Sequence, residues 1–121
     1  MTNDLNTKQY DLEERTFQFA KSVALYCRQL PKEIINIEYI KQVVRSSGSV
    51  GANYIEANEA LSKKDFVMRI KISRKEAKES IYWLRLITEI NNNDYQLKGN
   101  ILLKEATELK KIFSSIAEKS K

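Results

Sequence analysis

Four glutamates stand in pairs one helical turn apart, Glu56 with Glu59 and Glu76 with Glu79. Paired carboxylates can share proton transfer, one as acid and one as base. On a helix the same pairs serve equally as solvated or salt-bridged charge. The chain has no histidine, so it lacks the usual acid–base group at neutral pH and the commonest metal ligand. The Glu-x-x-His pairs of di-iron helical bundles are excluded with it. Ser46, Ser47 and Ser49 have no histidine to activate them, and no motif signals a lysine-activated serine. Cys27 is the only cysteine; it lies on an apolar helical stripe, which suits a packed thiol rather than a nucleophile. No catalytic residue, metal site or cofactor is assigned, and the chain reads as a non-enzyme.

The densest charge is basic. Lys63 to Ile90 carries eight basic and four acidic residues. At 100° per residue, Lys64, Lys71, Lys75 and Lys78 fall within about 60° of one helix face, with Arg85 just beyond. Such a stripe is either a solvated face or a contact for an anionic partner. The whole chain is also basic, with 21 Lys and Arg against 16 Asp and Glu, an excess compatible with nucleic acid or another acidic partner, and equally with a soluble protein of high pI. Upstream lies a run of small residues, Ser46, Ser47, Gly48, Ser49, Gly51 and Ala52. Glycine inside a helix costs about 0.5–1 kcal/mol relative to alanine. Close approach of a neighbouring backbone would account for Gly48 and Gly51. The rival, a phosphate-cradling loop, lacks a preceding apolar strand and a following Gly-Lys-Ser/Thr.

The elements that carry these residues follow from apolar spacing. Helices are predicted over about residues 10–30, 37–60, 63–90 and 97–117. The first presents Leu12, Phe19, Val23, Tyr26, Cys27 and Leu30 on one face, and Pro31 ends it. The second presents a broad face of Ile40, Val43, Val44, Ser47, Val50, Gly51, Tyr54, Ile55 and Asn58. Ser62 reads as the N-cap of the third helix, with Asp65 three residues on. Phe66, Ile70, Ser73, Ala77, Ser80, Ile81, Leu84 and Ile87 form its core face. A second apolar strip, Met68, Ile72, Trp83, Leu86 and Ile90, lies about 120° around. One bundle core does not need both, so a partner subunit is its expected cover. The last helix carries Ile101, Leu102, Ala106, Leu109, Ile112, Phe113 and Ile116 on one face.

At 121 residues with one proline and three glycines, the chain suits a single domain of long elements. Four amphipathic helices with short links imply an all-α, antiparallel up-down-up-down four-helix bundle over residues 1–121. No segment is apolar enough to span a bilayer. The N-terminus lacks the apolar core of a signal peptide, and the lone cysteine suits a reducing cytoplasm. The expected location is therefore cytoplasmic, away from the membrane.

Ser49-Val50-Gly51-Ala52-Asn53-Tyr54-Ile55-Glu56, Ser62-Lys63-Lys64-Asp65-Phe66, Ile72-Ser73-Arg74-Lys75-Glu76-Ala77-Lys78-Glu79 and Tyr82-Trp83-Leu84 carry a family resemblance. The chain resembles the bacterial four-helix-bundle proteins encoded by intervening sequences in large-subunit ribosomal RNA genes, also called S23 ribosomal proteins. The family pattern resembles Ser-Ile-x-x-Asn-Ile-Ala-Glu-Gly. Here Tyr54 and Ile55 replace Ile-Ala, and Ala57 replaces the glycine. Lys75-Glu76 stands where many members carry Gly-Ser. The resemblance implies a homopentameric ring and kinship with the accessory protein of diversity-generating retroelements. That protein is a basic bundle that binds nucleic acid and a reverse transcriptase. No enzymatic activity is implied. Asn53, Glu56 and Glu79 match the family's polar motif. With Gly51, Met68, Ile72, Trp83 and Leu86 they are the expected structural or subunit-contact residues. Lys64, Lys71, Lys75, Lys78 and Arg85 are the expected nucleic-acid contacts. The functional reading is an oligomeric bundle that binds RNA or DNA; the alternative is a protein-binding scaffold.

Overall fold

Pro31 cannot donate to a helical hydrogen bond, and the first helix stops just before it. The computed structural model describes residues 4–121, with side chains from Asp11 onward. Four helices are present: α1 (Asp4–Gln29), α2 (Ile34–Asn58), α3 (Lys63–Ile90) and α4 (Gln96–Lys119). A short 3-10 turn, Asn93–Tyr95, precedes α4. No strand occurs among the described residues. Each helix packs on the next, and α1 also packs on α4, which closes an antiparallel up-down-up-down bundle. The most extensive contacts join α2 to α3 and α3 to α4.

The ends show where local chemistry overrides apolar spacing. The periodicity starts α2 at Ile37, but the helix begins at Ile34. Glu33 caps it, its carboxylate accepting from Asn36 N at 2.6 Å. Asn36 is buried and trades amide hydrogen bonds with Asn91 at 2.9 and 3.0 Å. Asn91 Nδ2 also donates to Ile87 O at 2.8 Å, so one side-chain pair ties the start of α2 to the end of α3. At α3 the Ser62 hydroxyl accepts from Asp65 N at 3.1 Å, the cap its spacing predicts. The helix of about 10–30 starts earlier, at Asp4, and α4 runs on to Lys119.

All six residues of the predicted α1 face are buried. The α2 face is narrower than predicted, because its apolar residues wrap too far around the helix for one core to take. Val43, Val50, Tyr54 and Ala57 are buried, whereas Val44 and Ile55 are exposed on the flank. Ile101 of α4 is likewise exposed, while Leu102, Ala106, Leu109 and Phe113 fill the core. Gly99 also serves close packing: a Cβ there would sit 2.8 Å from Tyr26 Oη and 3.0 Å from Thr88 Cγ2. The spacing of Gly99 gives no hint of this approach, because both neighbours come from other helices.

Candidate nucleic-acid interface

The inner side of α3 is built from Ile70, Ser73, Ala77, Ser80, Leu84 and Ile87, all buried. Small residues let α2 come close, and their hydroxyls are satisfied within the seam. Ser46 and Ser80 share a hydrogen bond at 2.9 Å, and Ser73 Oγ donates to Val50 O at 2.9 Å. This packing fixes the rotation of α3 and turns its opposite side outward. There stand Lys64, Lys71, Lys75 and Lys78, all exposed. Among the described residues none of the four forms an ion pair with a carboxylate. Arg85 is exposed as well, but its Nε is bound to Glu89 at 2.9 Å. The free positive charge of the stripe is therefore that of the lysines.

The second apolar strip runs beside the stripe, on the flank facing α2. Trp83 is half-buried against Tyr39 of α2, ring centroids 5.7 Å apart. Ile72 and Leu86 are half-buried, while Met68 and Ile90 remain 53% and 49% exposed. The bundle thus covers the middle of the strip and leaves two of its residues open.

The polar motif residues divide between the seam and the surface. Asn53 Oδ1 accepts from Arg69 at 3.2 Å, and its Nδ2 donates to Ser49 O at 2.9 Å. Arg45 of α2 reaches both Glu76, at 3.0 Å, and Glu79. That pair of carboxylates is held in an ion-pair network, with Glu76 only 7% exposed. Glu56 and Glu59 are exposed and make no side-chain hydrogen bond or ion pair among the described residues. Gly51 is buried against α1, where a Cβ would lie 2.8 Å from Thr16 Oγ1. Gly48 is different from the expectation of close packing: nothing lies within 4 Å of where its Cβ would be, because it faces away from the bundle. Burial pushes the Cys27 thiol from 9.0 up to about 11, as befits a packed thiol. Among the described residues no group of three or more His, Cys, Asp or Glu is placed to hold a metal ion, and no helix is long and apolar enough to cross a membrane.

In the sequence Tyr82 stands out only as part of the Tyr82-Trp83-Leu84 motif. The structure places it on the lysine side of α3 and 59% exposed. Its angle on the helix wheel was the available signal, masked by the apolar Trp83 beside it.

Comparison with known proteins decides the family. The family model described as "23S rRNA-intervening sequence protein" matches residues 8–115. The chain belongs to the 23S rRNA-intervening sequence protein family. A crystal structure from Bacteroides thetaiotaomicron, of a protein of unknown function from the S23 ribosomal protein family, shares 33% identity at a TM-score of 0.75. The alignment covers 92% of this chain and 98% of that one. No curated protein matches. Within this chain the departures from the family pattern are absorbed locally. Tyr54 fills the core, its ring 5.6 Å from that of Phe113. Ala57 is buried, and Glu76 takes Arg45 as its partner.

Proposed function

We propose that this family member is a non-enzymatic, basic, oligomeric bundle that binds RNA or DNA through the lysine stripe of α3. One observation carries the reading: Lys64, Lys71, Lys75 and Lys78 project from the outward side of one helix without carboxylate partners among the described residues. Lysine ammonium groups contact phosphates without reading base edges, so binding is largely independent of sequence. The carboxylates that could serve as acid and base support the non-enzymatic reading. Glu76 and Glu79 are both engaged by Arg45, and Glu56 and Glu59 are solvated on an exposed face. Met68 and Ile90 support an oligomer, since a subunit contact would remove their exposed surface from water. The assembly suggested by the family resemblance is a homopentamer, which would repeat the stripe around a ring and raise its local potential.

A fluorescence-anisotropy titration against labelled RNA and DNA tests the stripe. With about four phosphates neutralised per chain, affinity falls about 50-fold or more between about 50 and 200 mM salt. Replacing Lys71, Lys75 and Lys78 together by Glu abolishes binding and leaves the circular dichroism spectrum and melting temperature nearly unchanged, because exposed charges contribute little to stability. Undiminished binding by that folded variant removes the stripe as the contact. No binding by the unmodified protein at low salt favours the protein scaffold instead. Light scattering coupled to size exclusion tests the assembly separately, and a monomer mass at micromolar concentration rejects the pentamer.

A further inference from the structure

We propose that Tyr82 is a base-stacking platform set into the lysine stripe, so that the stripe takes single-stranded nucleic acid in preference to duplex. The inference rests on the stripe being a nucleic-acid contact and adds which form of nucleic acid it takes.

Tyr82 falls inside the angular sector of Lys75 and Lys78 at 100° per residue. Along the axis it stands about 6 Å beyond Lys78 and about 4.5 Å short of Arg85. Basic groups therefore flank the ring on both sides. Glu89, which neutralises Arg85, closes the stripe at its far end. The free lysines thus all lie on the side of Tyr82 toward the start of α3.

The ring is both exposed and held. Its centroid lies 5.0 Å from that of Trp83 at an interplanar angle of 79°, an edge-on contact. Trp83 is itself packed on Tyr39 of α2. The ring thus packs against a side chain that the bundle holds, and more than half of the Tyr82 side chain stays open to solvent. A ring ordered before binding loses little freedom when a base stacks on it. A positively charged track with an aromatic face set in it is the combination that holds single strands without regard to sequence. A duplex has its bases stacked on one another and offers phosphates but no free base face. Lysines alone do not discriminate the two forms; the ring does.

The test uses the full-length protein and a fluorescein-labelled RNA strand without self-complementarity, alone and annealed to its complement, at low salt. The single strand binds more tightly than the duplex. Tyr82→Ala weakens single-strand binding about 5- to 150-fold and leaves duplex binding unchanged. Tyr82→Phe retains single-strand binding, since the face and not the hydroxyl carries the contact. Trp83 is the sole tryptophan and touches Tyr82, so its emission changes on adding the single strand to the unmodified protein and not to the folded Tyr82→Ala variant. Equal affinity for both forms, or an Ala variant that binds the single strand as before, overturns the proposal. If binding in that case still disappears on replacing Lys71, Lys75 and Lys78, the stripe reading stands and only the stacking role is lost. Failure of the unmodified protein to bind either form ends both.

Discussion

Gly48 and Gly51 stand three residues apart on α2 and meet opposite surroundings. Gly51 lies against Thr16 of α1, whose hydroxyl is itself fixed by a hydrogen bond to Glu13 O at 2.9 Å. Gly48 faces open space. The same division runs through the α2–α3 pair. Its inner side is made of small residues, Ser46, Ser73, Ala77 and Ser80, none of them measurably accessible. Its outer side carries Gly48, Ala52 and the α3 lysines, all exposed. Small residues inside a seam set the distance between helices. Gly48 outside it gives the bundle nothing that the fold of one chain can use, and it costs helix propensity.

The largest way to break the inner side is Gly51→Leu. A Cβ alone would already meet Thr16 Cβ at 3.0 Å, so a full leucine must push α1 and α2 apart. The expected loss is about 3 kcal/mol, the upper end of ordinary overpacking or beyond it. Chemical denaturation reads it directly; an unchanged midpoint would show that the approach to α1 is not a packing constraint.

Next comes alkaline pH, which probes the core through Cys27. The buried thiol ionises near pH 11, whereas its ordinary value is 9.0. Below pH 9 both folded and unfolded chains hold the proton, and the thiol has no effect. As pH rises from 9 toward 11 the unfolded chain ionises first, so stability falls, by about 2–3 kcal/mol in all. Burial also raises Tyr26 and Tyr54 above 10.0, which steepens the upper part of the fall. Urea midpoints measured across this range follow the curve. Cys27→Ala lowers stability at pH 7 yet flattens the first part of the slope; an unaltered slope would place its origin elsewhere.

A smaller effect is expected where the seam reaches the surface. Arg45→Ala leaves Glu76 nearly buried without its cation and releases Glu79. Arg45 itself is half exposed, so screening limits the loss to about 1–2 kcal/mol. Glu76→Ala in the Arg45→Ala background recovers part of it, because no buried charge then remains. A double-mutant cycle without coupling would mean that the pair is ornamental.

Much of this arrangement is legible in the chain itself. The α1 stripe from Leu12 to Leu30, the Ser62 cap and the core face of α3 follow from spacing, because each is set by residues on one helix. What spacing misses depends on two helices at once. Ile34 and Ile35 are exposed and give no amphipathic signal, so only the Glu33 carboxylate and the Asn36–Asn91 pair mark where α2 begins. Val44 and Ile55 look like core because the apolar arc of α2 is wider than its contact with α1 and α3. At the candidate interface the lysines are legible by angle alone. The pairing of Arg85 with Glu89 and the near-perpendicular packing of Tyr82 with Trp83 depend on side-chain rotamers that periodicity does not encode.

The smallest predicted effect is the one with opposite sign. Gly48 sits in the interior of α2, where alanine is favoured by about 0.5–1 kcal/mol and nothing obstructs a methyl group. Gly48→Ala is therefore expected to stabilise a single chain and raise the melting temperature by about 2–5 °C. Gly51→Ala, three residues away, is expected to destabilise it, so the two substitutions differ in sign although the local sequences are alike. Measuring both at several protein concentrations sharpens the comparison. If Gly48 is small because another subunit approaches it, the gain appears under dissociating dilution and turns to a loss of assembled mass at high concentration. If the gain holds at every concentration and the mass is unmoved, no second copy of the chain packs on Gly48 and the outer side of α2 is free surface there.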